Sequence, residues 1–270
     1  MKRLLITTVS LVIACRIAAQ APNLDSVKTE LYKVNKVFDS SIYLGFNVDI
    51  IYSSDTLYGK YEHEEMTGNY ILNNKNIFYK MGSTEYMQND SFAYNVYGED
   101  KMMIMTRNFV DANSTLFPLK DFVDSIITWY DSAYTITFRN DSDAKVIEFT
   151  ANRDSLPYQH FAVAYDSTSH YPIKFEMSFI QELTDYPDMP DSILSAIKQR
   201  PVKKSITILF SDYYNVETLD VFKDENYVYF DRMRKKYKPS EKFRSYRFVA
   251  DGINGEDDYD PTIEAPPDGN

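Results

Sequence analysis

Only one cysteine and three histidines occur among the 270 residues. A lone cysteine excludes an intramolecular disulfide and a cysteine-rich zinc site, and a three-histidine metal centre would consume every histidine in the chain. Basic residues are the minority, 29 against 40 acidic ones, for a formal net charge of -11. That balance argues against a broad nucleic-acid-binding face. The chain has no Gly-x-Ser-x-Gly elbow and no phosphate-cradling glycine loop. No apolar run approaches the roughly 20 residues that a membrane-spanning helix needs. What is present is aromatic: 15% of the residues, 23 of them tyrosine, within a hydrophobic fraction of 44% that argues against general disorder.

Residues 1–20 have the grammar of an export signal. Lys2 and Arg3 precede a short apolar run from Leu4 to Ala14, and the small residues Ala18 and Ala19 lead to Gln20. Two processing routes are open. Cleavage after Gln20 releases a periplasmic protein that starts at Ala21 and has no cysteine. Alternatively, Val12-Ile13-Ala14-Cys15 resembles a bacterial lipobox, and the protein is lipid-anchored through Cys15. Loss of residues 1–20 leaves 26 basic and 40 acidic residues, a net charge of -14.

From Leu24 to Phe38 a helical stripe runs through Leu24, Val27, Leu31, Val34 and Phe38. An isolated helix of this length is marginal, so the stripe must lie against an apolar surface. The period then changes to two: Leu44, Phe46, Val48 and Ile50 alternate with Gly45, Asn47 and Asp49. Short strand-like runs follow at Gly68–Leu72, Ile77–Met81, Glu85–Gln88, Phe92–Tyr97 and Met102–Thr106, with turn-rich pieces between them. Such spacings leave no room for crossover helices and predict antiparallel pairing. A second amphipathic helix is predicted over Leu119–Tyr130, after Pro118. Further strands are predicted at Tyr134–Phe138, Val146–Thr150, Phe161–Tyr165, Ile173–Phe179 and Ser205–Phe210. Residues 184–201, with three prolines, read as a long connection holding a short helical piece.

The expected fold is therefore mainly β with α. A strongly curved antiparallel sheet wraps around the helices, which plug or line its concave side. Residues 21–250 form one domain with a C-terminal extension from about 216. Residues 251–270 carry seven acids and no base and read as a disordered acidic tail.

The order of signal, amphipathic helix, amphipathic strand and Tyr-rich hairpins of the form TGNYILNNKNIFYKM, completed by HYPIKFEMSFIQEL and KKSITILFSDYYN, resembles the LolA-type outer-membrane lipoprotein carrier family in a divergent Bacteroidetes form. The likeness covers roughly residues 24–215. It implies an unclosed half-barrel lidded or plugged by two or three helices, with an apolar cavity that shelters acyl chains. Such a cavity would draw on Leu31, Val34, Phe38, Leu44, Phe46, Val48, Ile50, Tyr70, Phe78 and Ile126. Tyr213 or Tyr214 would end a late strand. The implied role is a periplasmic carrier or sensor for a lipoprotein acyl group or another hydrophobic ligand. A non-catalytic cell-envelope scaffold that presents the sheet to a protein partner is the alternative.

Catalysis has little to draw on. His63 stands among carboxylates in Tyr61-Glu62-His63-Glu64-Glu65, read as a solvated loop. His160 sits at a strand start and His170 in a turn. A hydrolase, the third reading, requires His160 or His170 within reach of a serine or aspartate. The Met102-Met103-Ile104-Met105 run reads as strand core, not a copper site. Asp251, Asn254, Glu256 and Asp258 fail the spacing of a calcium loop. No metal, no cofactor and no enzyme activity are expected, and the protein reads as a monomer. Residues 232–247 hold eight basic residues and one acid. Arg232, Arg234, Lys235, Lys236 and Lys238 are the candidates for docking a lipid headgroup or a partner, unless the acidic tail screens them.

Overall fold

The computed structural model describes residues 24–38, 43–55, 61–73, 76–107, 133–141, 143–156, 158–180, 192, 195, 202–251 and 253. Helix α1 spans Leu24–Lys36. Six strands follow: β1 (Leu44–Asp55), β2 (Tyr61–Leu72), β3 (Ile77–Met81), β4 (Thr84–Gln88), β5 (Phe92–Tyr97) and β6 (Met102–Arg107). Then come β7 (Tyr134–Asp141), β8 (Ala144–Ala151), β9 (Tyr158–Asp166), β10 (Pro172–Ile180) and β11 (Lys203–Asn215). The C-terminal segment adds β12 (Val228–Asp231), β13 (Lys236–Pro239) and β14 (Arg247–Asp251), with two 3-10 turns before β12 and one between β13 and β14.

Twelve strands form one open sheet in the order β14-β6-β5-β4-β3-β2-β1-β11-β10-β9-β8-β7, while β12 and β13 pair separately. The centre is the most extensively paired part, where β1 runs antiparallel to both β2 and β11. The sheet departs from expectation in two ways. It is not curled into a half-barrel, and β14 and β7 remain as its edges. It is also mixed, because β14 lies parallel to β6, with Arg247 opposite Met102 and Asp251 opposite Thr106. Tight spacing excludes parallel pairing only between strands close in sequence. The strand that joins β6 arrives from the far end of the chain, so it had room to cross over.

Helix α1 is the one α-helix complete among the described residues; Ser192 and Ser195, within the 184–201 connection, are also helical. The helix predicted over Leu119–Tyr130, nearly all of the 184–201 connection, the signal and the acidic tail lie outside the described residues. Helix α1 has Asp25 in its first turn and Lys33 and Lys36 in its last, which matches the helix dipole. Val27, Leu31 and Val34 are buried. None of the described helices is long and apolar enough to cross a membrane.

The hydrophobic core is in two parts, on opposite faces of the sheet. Alternation along β2 separates them: Tyr70 and Leu72 join α1, whereas Ile71 joins Tyr94, Met103, Met105, Phe222, Tyr227 and Phe243. The second core lies under residues 216–246, which cover one face of β3–β6 before the chain joins the sheet as β14. Covers on both faces explain why Tyr70, Ile71 and Leu72 are buried in succession. They also give a layered sheet in place of one wrapped around its helices. Met103 and Met105 are buried and Met102 and Ile104 half-buried, so this run is strand core.

Candidate functional site

On the face that carries α1, an aromatic ladder crosses the sheet. Tyr213 on β11, Phe46 on β1, Tyr70 on β2, Tyr79 on β3 and Tyr86 on β4 follow one another with ring centroids 5.2–5.5 Å apart. Tyr171 stacks on the far side of Tyr213 at 4.5 Å. Offset and tilted aromatic pairs of this kind stabilise a sheet beyond their area burial. Burial pushes the Tyr70 phenol up to about 12, with Tyr79 adding to the shift. Burial, then Tyr171, raises Tyr213 as well.

Next to the ladder the register lines up two apolar rows. One passes through Met66, Ile50, Ile208, Phe175, Val163, Ile147 and Phe138, on seven adjacent strands. The other passes through Tyr52, Ile206, Met177, Phe161, Phe149 and Ile136. The back of the same strands is mixed, with Asp49, Glu65, Thr207, Lys174, Glu176, Glu148 and Arg139. Phe175, Val163, Ile147, Phe161 and Phe149 are buried in the cluster that holds α1. Toward β1 and β11 the rows emerge. Ile50, Tyr52, Ile206, Ile208 and Met177 are half-buried, and Met66 is 46% exposed. This flank of apolar side chains is the candidate site.

The residues predicted to line a cavity divide three ways. Leu31, Val34, Phe38, Leu44, Phe46, Val48 and Tyr70 are brought together, but they are buried against one another as helix-sheet core. Ile50 sits half-buried on the flank. Phe78 points to the opposite face and belongs to the second core. Ile126 lies outside the described residues. Phe78 instead borders a cleft of ≈ 560 Å3 shared with Lys80, Glu85, Glu225, Tyr227, Glu241 and Lys242. That lining is too charged for an acyl chain.

Where α1 meets the sheet there is a polar centre that the sequence did not announce. Glu30 accepts hydrogen bonds from Lys33 (2.6 Å), from Lys145 on β8 (3.1 Å) and from the Tyr165 hydroxyl on β9 (2.7 Å). Its side chain is only 13% exposed. Burial opposes the charge, but the donors outweigh it and bring the Glu30 pKa down to about 2. His170, in the left-handed region at φ 61°, stacks on Tyr165, with Nε2 3.9 Å from the Glu30 carboxylate. Only the Glu30/Lys33 spacing is visible in the sequence. Lys145 and Tyr165 are brought in by the pairing of β8 with β9.

The histidines do not form a catalytic cluster. His63 lies in β2 and not in a loop. The strand begins seven residues earlier than expected, because Glu62 to Glu65 show no apolar alternation to read. His63 Nδ1 is 3.2 Å from the Ser53 hydroxyl and Nε2 is 2.9 Å from Glu65. The residue types are those of a serine nucleophile with its base. However, the His63 and Glu65 side chains are 46% and 68% exposed on an open strand surface, where water competes for every contact. His160 pairs with Glu148 at 2.9 Å, and this contact is the leading cause of the lowered Glu148 pKa. No cluster of three or more potential metal ligands occurs among the described residues.

The basic stretch is not one patch. Lys242 lies 3.5 Å from Glu85 and over the Phe243 ring, Arg244 contacts Glu241, and Arg247 stands in β14. Arg232, Arg234, Lys235 and Lys236 gather at the exposed turn and start of the β12–β13 hairpin, and Lys238 pairs with Asp231 at 2.8 Å.

The chain matches no known family model and no curated protein. It is similar to several solved structures at low identity. A LolA superfamily protein from Nitrosomonas europaea is 12% identical over 73% of this chain and 96% of that one, with a TM-score of 0.32. An uncharacterized conserved protein from Thermus thermophilus is 7% identical over 83% and 99%, with a TM-score of 0.37. A chain of the Pseudomonas aeruginosa MucA/MucB complex is 14% identical over 73% of this chain and 60% of its own length, with a TM-score of 0.38. At scores this low, none of them assigns a fold or an activity to this chain.

Proposed function

We propose that the protein is an exported, non-catalytic carrier that holds an acyl chain or a similar hydrophobic ligand on the helix-side face of its sheet. The observation that carries this reading is the pair of apolar rows that continue past α1 and emerge half-buried at Ile50, Tyr52, Ile206, Ile208 and Met177. A ligand between α1 and the sheet would have to separate side chains that already fill that seam. The flank needs no such rearrangement. Each methylene buried there contributes about 0.8 kcal/mol, so a long chain is held without specific polar contacts. Tyr52 suits the boundary between an apolar surface and water. The signal-like residues 1–20 support a periplasmic location, with the carrier released or anchored through Cys15.

A dansyl-labelled long-chain fatty acid tests the proposal. Saturable binding to the chain from Ala21 is expected, and Ile208→Asp should weaken it at least tenfold while the circular dichroism stays unchanged. Native mass spectrometry of gently purified protein should show a lipid-sized adduct. Ligand-free spectra together with no saturable probe binding would overturn the reading.

A further inference from the structure

The described residues include nine exposed large apolar side chains, and three of them, Tyr229, Phe230 and Met233, fall within five positions of the β12–β13 hairpin. Met233 is the extreme case, at 98% exposure in the turn. It stands between Arg232 and Arg234, with Lys235 and Lys236 following. Over residues 231–238, five cations face one carboxylate, although the folded body as a whole is acidic.

The hairpin is a built feature. At its base, Tyr227 and Val228 are buried, and Tyr227 stacks on Tyr94 at 4.7 Å. Higher up, Phe230 meets Tyr237 edge-on at 5.1 Å, and Tyr237 meets Phe92 at 5.4 Å. The turn is fixed by Asp231, which accepts hydrogen bonds from the backbone N–H groups of Met233 and Arg234 and also pairs with Lys238. Lys235 completes the reversal at φ 54°. A rigid base therefore holds up an apex with an apolar side chain at its tip and cations around it.

We infer that the β12–β13 hairpin docks the protein on an anionic bilayer surface, with Met233 entering the headgroup region and Arg232, Arg234 and Lys235 engaging lipid phosphates. Charge complementarity and shape select this occupant. An apex with Met233 almost wholly bare offers no groove for a peptide, whereas a soft interface closes around it. Arginine and lysine hold their charged ends at phosphate level while their stems lie along apolar surface, and tyrosine favours the same boundary. The negative body turns away from an anionic surface, which orients the basic tip toward it.

The test is co-sedimentation of the chain from Ala21, which retains every described residue, with phosphatidylglycerol/phosphatidylcholine vesicles and with phosphatidylcholine alone. Binding is expected only to the anionic vesicles and should weaken as salt is raised. Each cation near such a surface is worth about fivefold in binding. The triple variant Arg232→Gln/Arg234→Gln/Lys235→Gln should therefore bind about a hundredfold more weakly. Met233→Ser, at unchanged charge, should lose about tenfold. Thermal unfolding of both variants should match the parent, since the substituted side chains are exposed. Equal binding by the triple variant and the parent would overturn the proposal, as would a parent that stays in the supernatant with anionic vesicles. If only a chain with Asp257→Asn, Asp258→Asn and Asp260→Asn sediments, the hairpin is occupied by the protein's own acidic segment and bilayer docking fails.

Discussion

The two faces of the sheet are covered by different means. On one face a single regular helix, α1, lays Val27, Leu31 and Val34 onto an aromatic ladder centred on Phe46. On the other, residues 216–246 form a cover of 3-10 turns and short strands, stitched by phenol-carboxylate hydrogen bonds. The Tyr94 hydroxyl donates to Asp224 at 3.0 Å, Tyr227 donates to Glu85 at 2.7 Å, and Asn89 donates to both Asp224 and the Phe222 carbonyl. The helix reaches stability through period and packing. An irregular cover leaves more backbone groups outside regular structure, so side chains must fix its path. One sheet thus supports an interlocked core and a separately tied flap. The largest consequences of mutation should therefore fall on the helix side.

Phe46 is the sharpest test of that asymmetry. It is fully buried, with ring centroids within 6 Å of Phe38, Tyr70, Phe210 and Tyr213, which draw the turn after α1, β1, β2 and β11 together. Phe46→Ala is expected to cost about 4 kcal/mol, with transfer and cavity contributions adding. Urea denaturation should show the lower midpoint in a probe on either face, because β1 is the centre of the whole sheet. A loss below about 1 kcal/mol would mean that the helix-side core is not the stronger of the two.

A smaller effect is expected from acid. Glu30 is held near 2 against an ordinary value of 4.5, so its contribution is fully present above pH 4.5 and is lost as pH falls toward 2. With solvent screening discounted, the amount is on the order of 2 kcal/mol. The parent should lose stability across that window, and Glu30→Gln should lose less of it, starting from a lower plateau. Identical pH profiles for the two proteins would show that the tie between α1 and Lys145 and Tyr165 adds nothing.

The same contrast separates what could be read in the sequence from what could not. The stripe from Leu24 to Phe38 and the alternation from Leu44 to Ile50 are local periods, so α1 and β1 were legible, as were the cores of β3, β5 and β6. β2 was cut short because Glu62–Glu65 place charge on both faces. β14 was invisible because parallel pairing with β6 depends on a path through residues 216–246 that follows no period. The apolar flank was half legible. Ile50, Ile206 and Ile208 announce strands facing a core, yet only the register of β1 with β11 sets Ile50 beside Ile208 and Tyr52 beside Ile206. The Glu30 centre needed Lys145 and Tyr165, which lie more than a hundred residues away. Phe78 packs in the second core and not beside α1, because an aromatic in a hairpin does not reveal which face it takes when both faces are covered.

Tyr227→Phe probes the flap by itself. The substitution keeps the ring between Tyr94 and Phe243 and removes only the hydroxyl that Glu85 accepts from. Burial, followed by the Glu85 hydrogen bond, raises the phenol's pKa, so it is a neutral donor at any physiological pH. Loss of one hydrogen bond to a carboxylate costs about 1.5 kcal/mol. Lys242, 3.5 Å from the same Glu85 oxygen, remains to offset the exposed charge. If the cover is a separately tied unit, the cost should appear as faster amide hydrogen exchange confined to residues 216–246, with β1 and β11 unchanged. Equal acceleration in β1 would mean that the two faces open together, and the helix side and the flap would then be one cooperative core.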